Sequence, residues 1–75
     1  MTKEGVIEVR APMVGTVADI LVPPGAQVME NDELLILESM KMHIPIRTPR
    51  AGIVQEIRVS IGDTVQEDDL LVVLC

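Results

Sequence analysis

The 75-residue sequence contains no Phe, Tyr or Trp and a single Cys. Without aromatic rings it lacks the stacking surfaces with which proteins bind single-stranded nucleic acids. One Cys, at position 75, excludes an internal disulfide and favours a reducing compartment. Basic residues are also few, six Lys and Arg against twelve Asp and Glu, which disfavours binding to nucleic acids or anionic membranes. No apolar run could span a bilayer and no signal region follows the N-terminus. We therefore expect a cytoplasmic or organelle-matrix protein that binds neither nucleic acid nor membrane.

The residues that are present favour β-strands. Hydrophobic residues make up 48% of the chain, and without aromatics the core must be built from Val, Ile, Leu, Met and Ala. The abundance of β-branched side chains favours strands, and no segment keeps a helical apolar period between Gly and Pro residues. The length allows one small domain. The composition therefore predicts a single all-β domain.

An internal repeat organises the chain. Shifting the sequence by 37 places aligns residues 7–38 with residues 44–75 without a gap and gives 13 identities over 32 positions. The identical pairs are Ile7/Ile44, Arg10/Arg47, Pro12/Pro49, Gly15/Gly52, Val17/Val54, Ile20/Ile57, Val22/Val59, Gly25/Gly62, Val28/Val65, Glu30/Glu67, Asp32/Asp69, Leu34/Leu71 and Leu37/Leu74. We interpret the domain as two copies of one strand-rich unit related by an approximate two-fold axis.

Each copy contains four short predicted strands separated by turn residues. The predicted strands are Val6–Arg10, Gly15–Val22, Gln27–Met29 and Leu34–Ser39, then Met42–Arg47, Gly52–Val59, Thr64–Gln66 and Leu70–Leu74. The alternation of apolar residues shifts after Val17 and again after Val54, which predicts a bulge at the same place in both copies. Gly25 and Gly62 are predicted to adopt positive φ. Residues 1–5 are expected to form a flexible tail, and residues 6–75 the domain.

The junction between the copies, Glu38–His43, requires a tight hairpin. A two-residue hairpin loop needs positive φ at both central positions and favours Asn-Gly or Asp-Gly, yet this segment contains no Gly, Asn, Asp or Pro. Two methionines, Met40 and Met42, flank Lys41 instead. Unfavourable turn residues indicate selection for something other than stability. From the residues alone, a solvated turn with methionines packing at its rim remains an equal alternative.

The run Glu38-Ser39-Met40-Lys41-Met42 resembles the attachment motif of biotinyl domains, usually Glu-Ala-Met-Lys-Met. The segment Ala11-Pro12-Met13-Val14-Gly15 is similar to that family's Ala-Pro-Met-x-Gly, and the resemblance extends from about Val6 to Leu74. It implies a flattened β-barrel, the barrel-sandwich hybrid, made of two four-stranded antiparallel sheets. It also implies that Lys41 carries covalent biotin, with Met40 and Met42 as flanking recognition residues. Glu38 and Ser39 complete the flanking segment.

The resemblance further implies a carrier that is not itself an enzyme. In the family, biotin protein ligase attaches the biotin, an ATP-dependent biotin carboxylase carboxylates it, and a carboxyltransferase receives the carboxyl group. The sequence agrees, since it contains no phosphate-binding glycine loop and no Cys/His metal cluster. Ser39 replaces the usual Ala. In carriers of enteric-type acetyl-CoA carboxylases, a protruding segment called the thumb is inserted between the positions that match Gly15 and Gly25, and it contacts biotin. This sequence has no such insertion, and in that respect it resembles the carriers of other carboxylases.

Three alternatives remain open. A lipoyl carrier shares the fold and the lysine hairpin, but Met40 and Met42 disfavour it. An unmodified structural barrel-sandwich module would tolerate replacement of Lys41. A soft-metal site formed by Met40, Met42 and His43 would suit only Cu(I) and would require side chains that alternate along a strand to converge.

Overall fold

The computed structural model of the chain describes residues 5–75, which form eight β-strands. The strands are β1 Ile7–Arg10, β2 Gly15–Ile20, β3 Gln27–Val28, β4 Glu33–Ser39, β5 Met42–Arg47, β6 Gly52–Ile57, β7 Thr64–Val65 and β8 Leu70–Leu74. All eight predicted strands are confirmed, with ends that differ by at most two residues. The largest difference is at β2 and β6, which end before their predicted limits. There the backbone N–H groups of Leu21 and Arg58 still donate to Leu34 and Leu71, but the chain then turns away.

The strands form two antiparallel four-stranded sheets, as predicted. One sheet has the order β1-β8-β6-β3 and the other β5-β4-β2-β7. The strand pairing repeats with the 37-residue shift: Ile7 pairs with Leu74 as Ile44 pairs with Leu37. The two predicted bulges are present, between Val17 and Asp19 in β2 and between Val54 and Glu56 in β6. The internal repeat is therefore a two-fold repeat of structure as well as of sequence.

The core is aliphatic and lies between the sheets. Its buried apolar residues are Val9, Ala11, Val17, Val28, Leu34, Leu35, Leu37, Ile46, Val54, Val65, Leu71, Val72 and Leu74. Thr48 is the buried polar residue described with them, and its hydroxyl donates a 2.6 Å hydrogen bond to the carbonyl of Arg50. Because this hydroxyl is satisfied, its burial does not carry the penalty of an unpaired polar group.

Turns close each copy in the same way. Gly25 and Gly62 have φ of 90° and 96°, which confirms their predicted left-handed conformation. Asn31 and Asp68 also have positive φ, 72° and 74°. The carboxylate of Asp32, which follows Asn31, accepts a 2.8 Å hydrogen bond from the backbone N–H of Met29. Short polar side chains tolerate this conformation and bond to the nearby backbone, so these turns form without glycine at that position.

The predicted tail, residues 1–5, lies outside the described residues except for Gly5, so its boundary with the domain stays a prediction. Across residues 5–75, the structure contains no helix long and apolar enough to cross a membrane.

Candidate functional site

The junction of the two copies is a two-residue hairpin between β4 and β5. Ser39 pairs with Met42, which leaves Met40 and Lys41 as the two loop residues. Their φ angles are 53° and 65°, so both adopt the left-handed conformation that a two-residue hairpin of this kind requires. For residues other than Gly, this conformation costs about 1 kcal/mol or more each. The turn is therefore built from residues that do not favour it.

The side chains at the hairpin tip are exposed. Met40 is 91% exposed and Met42 is 63% exposed, and Lys41 and Glu38 are exposed while Ser39 is half-buried. A methionine that is 91% exposed does not pack against the rim of the domain, so that interpretation of Met40 is wrong. None of the ion pairs recorded among residues 5–75 involves Lys41. The tip thus presents a primary amine between two apolar thioether side chains.

The hairpin is supported on one side by β2. Since β5 is the edge strand of its sheet, the Thr16–Glu38 pair is the last ladder pair that joins the hairpin to a neighbouring strand. Beyond it lies Gly15, where a Cβ would be 2.9 Å from the carbonyl oxygen of Glu38 and 3.6 Å from the Cβ of Ser39. The absence of a side chain at Gly15 therefore allows β2 to approach the backbone that leads into the turn.

Gly15 is a functional candidate that the sequence analysis did not assign. The residue was recognised only as part of the motif that begins at Ala11 and as an identity with Gly52 in the repeat. That identity was the available signal, because Gly52 makes the same approach to the carbonyl oxygen of Cys75, with a Cβ distance of 2.8 Å. Met13 and Val14, which precede Gly15 in the chain, are exposed apolar residues.

The geometry does not favour a metal site at the tip. Met42 and His43 are neighbours on β5, and successive side chains of a strand point to opposite faces of the sheet. Met40, Met42 and His43 therefore do not converge on one ion. Within residues 5–75, no group of three or more His, Cys, Asp or Glu side chains could hold a metal.

The two-fold repeat places the hairpin and the chain ends on different sheets. The equivalent of the Thr16–Glu38 pair is Ile53–Cys75, joined by backbone hydrogen bonds of 2.8 and 2.9 Å. The hairpin belongs to the sheet of β5, β4, β2 and β7, whereas β1 and β8, which carry the chain ends, belong to the other.

These features define a class of small barrel-sandwich domains that present a lysine on the hairpin joining two strand repeats. A family model described as "Biotin-requiring enzyme" matches residues 7–74. The chain belongs to this family, the biotin/lipoyl attachment domains. The segment between Gly15 and Gly25 contains β2 and the following turn, with no thumb insertion.

The curated relatives match over a shorter segment. The biotinylated protein TB7.3 homolog of Mycolicibacterium smegmatis is 50% identical over 38 residues, which cover 51% of this chain and 54% of that protein. The Mycobacterium leprae homolog is 47% identical over a segment of the same length. The chain thus spans about half the length of the curated relatives it matches.

Three solved structures share the fold. The Kluyveromyces lactis urea carboxylase superimposes on all of this chain with a TM-score of 0.91 at 23% identity, over 7% of its own length. A single-chain, multi-domain long-chain acyl-CoA carboxylase matches 99% of this chain and 7% of its own, with a TM-score of 0.89 and 31% identity. The lipoyl domain of the 2-oxoglutarate dehydrogenase complex from Azotobacter vinelandii has a TM-score of 0.79 and 29% identity, covering 92% of this chain and 95% of that domain.

Proposed function

We propose that the chain is a biotin carboxyl carrier in which biotin is attached covalently to Lys41. The observation that carries the proposal is the position of Lys41 in a left-handed two-residue turn, between the exposed Met40 and Met42, at the junction of the two repeats. A turn of this kind holds the amine beyond the sheet, where the active site of a modifying enzyme can surround it. The names of the two mycobacterial relatives also support biotin as the group attached.

The residues at the tip fit this group. The Nζ of Lys41, once deprotonated, would attack the acyl carbon of biotinyl-adenylate, forming an amide and releasing AMP. Because the ammonium becomes a neutral amide, the formal net charge of −6 becomes one unit more negative. Met40 and Met42, with Glu38 and Ser39, would form the surface that biotin protein ligase recognises around the amine.

Biotin attached to Lys41 would carry a carboxyl group from an ATP-dependent biotin carboxylase to a carboxyltransferase. The lysine side chain and the biotin valeryl chain together would extend roughly 14 Å from the backbone. An arm of this length raises the local concentration of its end at two successive active sites. The domain's role is then to hold the base of the arm while its partners perform catalysis, so we propose a non-catalytic component of a biotin-dependent carboxylase. The acidic composition and single Cys support a cytoplasmic or organelle-matrix location.

A lipoyl carrier is the second candidate, because the Azotobacter vinelandii lipoyl domain matches over nearly its whole length. Methionines on both sides of Lys41 favour biotin over lipoate. A purely structural module would leave Lys41 unmodified.

Intact-mass measurement separates these functions. Expression with biotin and biotin protein ligase should add about 226 Da, one biotinyl amide, and the Lys41→Arg variant should show no addition while melting at the same temperature. An addition of about 188 Da seen only with lipoate and a lipoyl ligase would identify a lipoyl carrier. No addition with either ligase would contradict both carrier functions.

A further inference from the structure

The four methionines within residues 5–75 differ in exposure and position. Met40 is 91% exposed, Met42 63%, Met29 62% and Met13 37%. Met40 and Met42 flank Lys41, whereas Met29 directly follows β3, a strand of the sheet that does not contain the hairpin. The chain therefore carries two highly accessible thioethers at the proposed attachment site and one of matched exposure on another sheet.

An accessible thioether reacts with hydroperoxides. The sulfur attacks one peroxide oxygen, the O–O bond breaks, and the methionine becomes a sulfoxide while hydrogen peroxide is reduced to water. The reaction needs no other side chain at the site, so exposure to solvent governs which methionines react. By this criterion Met40 is the first of the four to be oxidised.

We propose that Met40 and Met42 form a peroxide-oxidation site that controls whether Lys41 can be modified. This inference rests on the proposed carrier function, because its effect is exerted on attachment at Lys41. Oxidation converts a flexible apolar side chain into a polar one. A ligase that covers the tip must then bury a sulfoxide oxygen, which costs free energy unless the oxygen finds a donor.

The fold should tolerate oxidation of Met40 and Met42. Neither side chain belongs to the buried core or to the partly buried residues packed against it, and surface changes of this kind have little effect on stability. Oxidation at the tip should therefore reduce modification and leave the domain folded. Reduction by methionine sulfoxide reductases makes the change reversible.

The exposed thiol of Cys75 is a competing target, so the experiment uses a Cys75→Ser background. The protein is treated with hydrogen peroxide, the peroxide is removed, and peptide mapping follows sulfoxide formation at each methionine. Met40 should react fastest, and Met42 and Met29 at similar rates. With Met40 and Met42 oxidised, kcat/KM for biotin protein ligase should fall at least ten-fold, the melting temperature should not change, and methionine sulfoxide reductases should restore the rate.

Matched variants assign the effect to the tip. Met29→Leu protein should lose modification on oxidation as the parent does. A Met40→Leu/Met42→Leu variant should be modified at the same rate before and after peroxide. Full activity with both sulfoxides present, or a loss that persists in the double variant, would overturn the proposal alone. Failure of the untreated chain to accept biotin would overturn the carrier function as well, whatever the oxidation rates.

Discussion

Replacing Gly15 with Ala places a methyl carbon against the backbone that leads into the hairpin. The added Cβ would lie 2.9 Å from the carbonyl oxygen of Glu38, so β2 and β4 must separate by a few tenths of an ångström. Gly15 is not in the left-handed region, and the substitution therefore gains about 0.4–1 kcal/mol from the lower entropy of the unfolded chain. Overpacking typically costs 1–3 kcal/mol, which leaves a net destabilisation of about 1 kcal/mol.

The two-fold repeat supplies a matched control in Gly52→Ala. A Cβ at Gly52 would meet the carbonyl oxygen of Cys75 at 2.8 Å, the same contact at the chain end instead of at the hairpin. Because the two contacts are nearly equal in length, we expect Gly52→Ala to cost about as much stability as Gly15→Ala. For a domain of this size, 1 kcal/mol corresponds to about 4–8 °C in melting temperature.

Only Gly15→Ala should affect modification. It displaces the peptide before Ser39 and with it the turn that carries Lys41, so biotin protein ligase should show an increased KM, about five-fold or more, at a temperature where both variants are folded. Calorimetry and ligation kinetics on the two variants give both quantities. Equal ligation kinetics in the two variants, despite the loss of stability, would refute the view that Gly15 positions the hairpin.

Other predictions concern the turns. Replacing Met40-Lys41 with Asn-Gly should raise stability by about 1 kcal/mol, because these residues favour the left-handed turn, and should abolish biotinylation; an unchanged or lower melting temperature would contradict the cost assigned to the native turn. Gly25→Val should lower stability by 1–2 kcal/mol or more, because φ is 90°, and equal melting curves for this variant and Lys41→Arg would refute that expectation. Met42→Ala should slow ligation with a stability change of a fraction of a kcal/mol; a large fall in melting temperature would place Met42 in the core.

Much of the fold was predictable from the repeat, because bulges and turns depend on residues close together in the sequence. A bulge shifts the alternation of apolar residues along its strand, as after Val17 and Val54. A turn with positive φ favours glycine, as at Gly25. Both signals occur twice, once in each copy. The ends of β2 and β6 were less predictable, because hydrogen bonding continues past the last regular pair.

The hairpin between the two copies was predictable in position but not in detail. The left-handed turn at Met40 and Lys41 followed from the lack of any loop between two strands. The close approach of Gly15 in β2 to the carbonyl of Glu38 in β4 did not follow from the sequence. That distance is a tertiary property, and a glycine in a sequence marks a close approach without saying which backbone approaches it.

The repeat also separates the residues that stabilise the domain from those proposed to function. Every identical apolar pair between the copies, such as Leu34/Leu71, is buried or packs against the core. The hairpin has no such counterpart: Glu38 aligns with Cys75, and residues 39–43 lie between the copies. Because the paired positions of both copies form the core, the unpaired junction does not need to stabilise the domain. It can therefore carry residues that disfavour its own turn. A chain of 75 residues can therefore hold a costly, exposed Met-Lys-Met sequence and still fold.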